Sequence, residues 1–232
     1  MAVAKKSTNW FVIGVSTAVV VVLVAIGAAA WWANSLATGP GTAPQSAIVN
    51  QDTGAITFGT GDDEVDTYVD FMCPICGDFE TQYGEQLQTA AASDAITLNI
   101  HPVSILDRYS QNTKYSTRAA SAMYCVAAEA PDAALTFFNS LFTNQPEENS
   151  VGLGDDELAS LAEQAGAGAA ADCIADGTYK TFVAAQTTKH EIKGTPTVEV
   201  NGERLDLQAG GITKLEDVLA KAGSATTGTD GK

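Results

Sequence analysis

Hydrophobic and polar positions divide the 232-residue chain into blocks of different character. From Trp10 to Trp32 no charged residue occurs, and a helix over this run, at about 1.5 Å per residue, is roughly 34 Å long, enough to cross a hydrocarbon core of about 30 Å. Lys5 and Lys6 precede the run and the next charge is Asp52, so the positive-inside bias puts residues 1–9 in the cytoplasm and everything after residue 32 outside it. Trp10, Trp31 and Trp32 stand where interfacial aromatics belong. The small residues from Ala28 to Ala33 offer a site for a signal peptidase, but the run exceeds the roughly 7–15 residues of a signal peptide's apolar region, which favours an uncleaved anchor over 10–32. Residues 33–54 are rich in Gly, Ala, Pro, Ser and Thr without apolar periodicity and read as a flexible linker.

Residues 55–223 form one domain, long enough to bury its own core. Ile56 to Phe58 reads as a short strand and Asp66 to Phe71 as a longer one. A helix follows from Pro74 to about Ala92, then a strand from Ile96 to Val103, an order that implies a right-handed parallel crossover. Between about 107 and 190 the chain is alanine-rich, with helices expected near Lys114–Glu129, Asp132–Thr143, Asp155–Gly166 and Ala169–Glu191. Thr197–Val200 and Arg204–Leu207 flank Asn201-Gly202, a strong hairpin signal. A helix from Ile212 to Ala222 closes the domain, and 224–232 reads as a disordered tail. The result is an α/β fold, a mixed sheet with helices on its faces and a helical insertion.

Charge narrows the partners. Setting Lys5 and Lys6 aside leaves 10 basic against 28 acidic residues, a net charge of −18 outside the membrane. Such a surface repels nucleic acid and anionic lipid head groups. It serves solubility more readily than any specific cation site.

The chemistry gathers at Cys73-Pro74-Ile75-Cys76, where a strand gives way to a helix. Two thiols two residues apart can close a small disulfide ring, and the positive end of a helix stabilises the thiolate nearest it. Cys73 is then the nucleophile and Cys76 the resolving thiol. Pro74 fits the first helical turn, where its missing N–H costs nothing.

The order of CPIC after a strand, a helical block, and Gly194-Thr195-Pro196-Thr197 before a hairpin resembles the thioredoxin superfamily, and more closely its DsbA-like thiol-disulfide oxidoreductases of actinobacteria, over about residues 54–223. The resemblance implies a thioredoxin-like fold with an inserted helical domain, a cis peptide between Thr195 and Pro196, and a role for both residues in binding substrate backbone beside the disulfide. Two positions depart from the family. Ile75 stands where many oxidants have histidine, so no side-chain charge assists the thiolate and the helix end alone must supply the acidity. Thr67 stands six positions before Cys73, where a buried acid is common. Asp66 and Asp70 are nearby, but strand alternation points them away from the face of Thr67, and both read as surface residues.

Four cysteines allow three pairings. Proximity favours Cys73 with Cys76, which leaves Cys125 and Cys173 for a structural disulfide, as in actinobacterial DsbA-like proteins; an oxidising compartment disfavours leaving them free. Metal binding is a poor match, since one CxxC and the two histidines, His101 and His190, fit no structural zinc spacing. Both histidines read as packing or surface residues, and no cofactor is expected.

These readings point to a membrane-tethered, extracytoplasmic enzyme that passes its Cys73–Cys76 disulfide to exported proteins with free thiols. The resemblance implies reoxidation by a quinone-linked membrane partner, and nothing in the pattern suggests more than a monomer. Two alternatives stay open: a reductase or isomerase of exported thiols, for example those that receive haem in cytochrome c maturation, and a non-catalytic anchored peptide-binding domain.

Overall fold

The computed structural model describes Val24, Gly27 and residues 41–227, with side chains up to residue 224. The expected anchor over 10–32 lies outside the described residues except for Val24 and Gly27, which are helical, as do the 1–9 tail, the start of the linker and residues 228–232. Among the described residues no helix is long and apolar enough to cross a membrane.

Five strands form one sheet in the order β1-β3-β2-β4-β5, with β1 at Ile56–Phe58, β2 at Asp63–Val69, β3 at Ile96–Pro102, β4 at Thr197–Val200 and β5 at Glu203–Arg204. β2 and β3 run parallel, and the other neighbours are antiparallel. Along β2 the residues Val65 and Val69 are fully buried, with Val65 set between Leu98 and Val200 and Thr67 between Ile100 and Val198. This apolar alternation makes the sheet's centre. Asn201 and Gly202 both take positive φ, 52° and 77°, which closes the β4–β5 hairpin tightly.

The segment after β2 is helical from Pro74 to Ala92, as α1 (Pro74–Phe79), one π-helical turn (Glu80–Gly84) and α2 (Glu85–Ala92). The insertion contains α3 (Tyr115–Glu129), α4 (Ala134–Thr143), α5 (Asp155–Gln164), α6 (Ala171–Asp176) and α7 (Lys180–Lys189), and α8 (Ile212–Thr227) follows the hairpin. The α3 helix is its axis: Tyr115, Ala119, Ala122, Met123, Cys125 and Val126 are all at most 1 % exposed. Small alanines on two faces let neighbouring helices pack closely around it.

Several expected boundaries move. The helix expected over Ala169–Glu191 is broken at Gly177, whose left-handed φ of 62° ends α6 before α7 begins. The closing helix passes Gly223 and reaches Thr227, into the expected tail. The strand read over Asp66–Phe71 begins three residues earlier and ends at Val69, and the last strand is Glu203–Arg204 instead of Arg204–Leu207.

From residue 41 onward the expected linker is docked on the domain. Val49 is buried and bridges to Ile56, the Ser46 hydroxyl donates to the Ala127 carbonyl at 2.6 Å, and Tyr124 donates to the Gly54 carbonyl at 2.7 Å. Ile48 and Val49 supplied too few apolar positions for a period to show, yet they pair with β1 and Val49 enters the core.

Candidate active site

β2 is the central strand, and a turn of four residues past its C-terminal end leads into α1. Cys73 is its N-cap, in extended conformation, with Pro74 at the first helical position. Its carbonyl accepts the N–H groups of Cys76 and Gly77, at 3.0 and 3.2 Å, so the turn is closed by its own backbone. Both motif cysteines carry free thiols. Cys76 has no exposure and Cys73 keeps 5 %, which leaves only Cys73 open to an incoming thiolate. Ile75 is 64 % exposed beside it.

Thr195 and Pro196 lie against this pair although 122 residues separate Thr195 from Cys73. As a thiol, Cys73 donates from Sγ to the Thr195 carbonyl at 3.2 Å, and the Thr195–Pro196 peptide is cis. The Thr195 hydroxyl is buried and has no other partner, so it is free to face the thiolate. A groove of about 680 Å3 runs from this loop past Lys193, Arg204 and Asp206.

The thiols are split in acidity. Cys73 is lowered to about 6, foremost by the Cys76 thiol donating to its thiolate, then by Thr195 and the Cys76 and Ile75 N–H groups, against the opposing effect of its burial. Cys76 is raised well above the usual thiol value by burial, and further by its role as donor to Cys73. At neutral pH one thiolate and one thiol share a hydrogen bond. The acidity thus has more sources than the helix end to which the absence of histidine at Ile75 had assigned it.

Asp70 corrects the sequence reading. It is fully buried, three residues before Cys73, and its carboxylate accepts the N–H groups of Met72 and Leu106, both at 2.9 Å. Strand alternation failed because β2 ends at Val69 and the chain turns there. Burial raises the Asp70 carboxyl to about 6; the hydrogen bonds from Met72, Ser116 and Leu106 oppose this, and the negative charge of Cys73 adds to it. Thr67 is buried with an unpartnered hydroxyl, so a buried acid is present near the thiols at a different position from the one expected.

Asp66 is also not a free surface residue. It holds His101 Nε2 at 2.8 Å, and His101 stacks on Tyr68 with ring centroids 4.2 Å apart. His190 lies 3.3 Å from the Tyr68 hydroxyl and donates from Nε2 to the Thr53 carbonyl at 2.6 Å, given the neutral tautomer in which Nδ1 accepts from Tyr68. Both histidines pack against the sheet. Among the described residues no group of three or more His, Cys, Asp or Glu side chains is placed to hold a metal.

Gln145 had no signal in the sequence. From the loop after α4 its amide donates to the Cys73 carbonyl at 2.9 Å and the Phe71 carbonyl at 3.2 Å, tying the insertion to the motif. A side chain at Gly77 would come within 2.6 Å of Gln145 Oε1, which explains the glycine after the second cysteine. Only a contact spanning 72 residues reveals it. Away from this site, Cys125 on α3 and Cys173 on α6 form a disulfide with Cα atoms 5.7 Å apart.

Comparison with known proteins follows the same lines. A thioredoxin family profile matches residues 59–215. DsbA from Mycobacterium tuberculosis in its reduced form superposes with a TM-score of 0.63 at 30 % identity, over 75 % of this chain and 98 % of that one. The reduced disulfide bond oxidoreductase DsbG from the same organism gives 0.62 at 31 % identity, over 74 % and 94 %. The thiol-disulfide oxidoreductase MdbA from Corynebacterium diphtheriae, at 24 % identity and a TM-score of 0.62 over 75 % and 95 %, shares the fold. The serine/threonine-protein kinase PknE of Mycobacterium tuberculosis is 37 % identical over 118 residues, 49 % of this chain, and the chain spans only 21 % of that kinase's length. With its CPIC turn, cis Thr195–Pro196 and helical insertion in place, the chain belongs to the thioredoxin family, among the DsbA-like thiol-disulfide oxidoreductases.

Proposed function

We propose that this protein is a membrane-tethered, extracytoplasmic thiol-disulfide oxidoreductase that donates its Cys73–Cys76 disulfide to exported proteins. The observation that carries the direction is the acidity of Cys73. A thiolate stabilised to about 6 by Cys76, Thr195 and two N–H groups favours the reduced enzyme, and a stabilised reduced form makes its disulfide an oxidant. The charge-free run from Trp10 to Trp32, with Lys5 and Lys6 before it, supports the tether.

In the first step a substrate thiolate attacks Cys73 Sγ, the Cys73–Cys76 bond breaks, and Cys76 leaves as a thiolate that takes up a proton, in keeping with its raised value. A second substrate thiolate attacks the substrate sulfur of the mixed disulfide and releases Cys73. The substrate has then lost two electrons and two protons, and the enzyme holds them as a dithiol. A membrane redox partner that accepts these electrons closes the cycle. The reduction potential of the full chain in detergent, equilibrated against glutathione buffers, tests the direction. A value of about −120 to −180 mV supports disulfide donation, and a value near about −270 mV makes the protein a reductant.

A further inference from the structure

Two grooves flank the reactive thiol, and they differ in charge. On the cis-proline side Lys193 and Arg204 balance Glu191 and Asp206. On the other side, between the active-site helix and α4, lies a groove of about 450 Å3 whose walls include Pro74, Asp78, Glu80 and Gln145. It adjoins a second groove of about 470 Å3 that shares Glu80 and Asn139 and adds Glu85. Three carboxylates line the pair, and no Lys or Arg does.

Glu80 marks this surface as unfinished. It sits on the π-helical turn, lines both grooves and lies against Gly84, where an added Cβ would stand 2.7 Å from its Oε2. Its carboxyl makes no hydrogen bond or ion pair among the described residues, and burial pushes it up to about 7. A part-buried carboxylate without a donor is costly, and a cation brought by a ligand removes that cost. Pro74 is in the wall of this groove and is the residue next to Cys73. A polypeptide joined to Cys73 and held at Thr195 therefore has its other flank beside Asp78 and Glu80.

We propose that this groove is a subsite for basic side chains of the substrate, so that the protein exchanges disulfides fastest with cysteines that have Lys or Arg close by in their sequence. The inference rests on the thiol-exchange reading and names the substrate class for it. Asp78, exposed at the rim, attracts the cation, and Glu80, part-buried where the two grooves meet, receives it. Charge at the rim acts mainly on encounter, and the enclosed partner on the lifetime of the complex.

The test uses the oxidised full chain in detergent and two short peptides, each with one cysteine, that differ only in Arg or Glu two residues from it. Two peptide thiols reduce one Cys73–Cys76 disulfide and leave as a peptide disulfide, so no further reductant is needed. Each rate is divided by that peptide's rate with a small aromatic disulfide, which removes the effect of Arg on the peptide thiol itself. The expected preference for the Arg peptide is about threefold to tenfold at low salt, shrinking as salt is added. In Asp78→Asn/Glu80→Gln it falls towards unity, whereas in Glu163→Gln/Asp172→Asn, which alters two exposed acids outside both grooves, it persists. Equal normalised rates for the two peptides, or an equal loss of preference in both double variants, overturns the inference and leaves the exchange reading intact. No reaction with either peptide overturns the exchange reading as well.

Discussion

The two cysteine pairs of this chain have the same composition and opposite character. Cys73 and Cys76 are three positions apart, at the start of a helix, with one thiol held as an incipient anion and the other as its donor. Cys125 and Cys173 are 48 positions apart, on two helices of the insertion, in a disulfide set against the core. The first pair gains little stability from so short a loop, but its anion is surrounded by donors. The second closes a long loop and has no thiol to titrate. Location relative to a helix end and loop length, more than the cysteines themselves, separate a reactive bond from a structural one.

Substitutions break the comparison most directly at the reactive pair. Cys73→Ser is expected to bring exchange with thiol peptides to the uncatalysed rate, with a thermal midpoint that falls below that of the reduced protein only as the pH rises above about 6. Cys76→Ser, given a peptide disulfide, instead accumulates a mixed disulfide, visible by mass: Cys73 attacks one peptide sulfur, the other peptide thiol leaves, and no resolving thiol remains. At the other pair, Cys125→Ala/Cys173→Ala is expected to cost about 3–4 kcal/mol of stability in denaturant unfolding, from the loop of 48 residues. The potential of Cys73–Cys76 should be unchanged; a shift there would mean that the pairs communicate.

Acidity sharpens the contrast. The Cys73 thiol is lowered in the folded dithiol, to about 6 from the ordinary 9.0, so its stabilisation is fully present above pH 9 and is lost as the pH falls through 6. The disulfide form has no such group. The stability advantage of reduced over oxidised protein should therefore grow from about pH 6 to pH 9, by paired thermal melts, and a constant difference would contradict the assignment. Asp70 acts with the opposite sign, since its raised carboxyl loses stability as the pH climbs from 3.8 through about 6. In Asp70→Asn the charge repelling the thiolate is removed, and Cys73 should titrate lower than in the native protein, by pH-dependent alkylation. The smallest effect is expected for Gln145→Ala. It frees the Cys73 carbonyl and should slow exchange a few-fold, with about 1 kcal/mol of stability lost.

What was legible was local. The Asn201-Gly202 turn and the CPIC motif at a helix start are set by nearest neighbours, and the corresponding elements form within a few residues of their expected bounds. The misread residues were those whose environment lies far along the chain. Asp70 looked like an outward strand position because nothing near it shows that the strand stops at Val69 and that Leu106 offers an N–H. Asp66 looked exposed because its partner is His101 on the neighbouring strand. The docked segment around Val49 looked like tether because its cover comes from the insertion.

By itself the sequence determined the kind of chemistry: two thiols at a helix start, an acidic domain, and a proline segment downstream to meet them. Only the tertiary structure decided how that chemistry is tuned. The cis Thr195–Pro196 loop and the Gln145 amide reach the motif from far along the chain and the Asp70 carboxylate through the turn after β2, while Glu80 lines the groove beside it. Charge and hydrogen bonding act over a few ångströms of space whatever the separation in sequence, so thiol acidity and the groove beside it are properties of the folded neighbourhood.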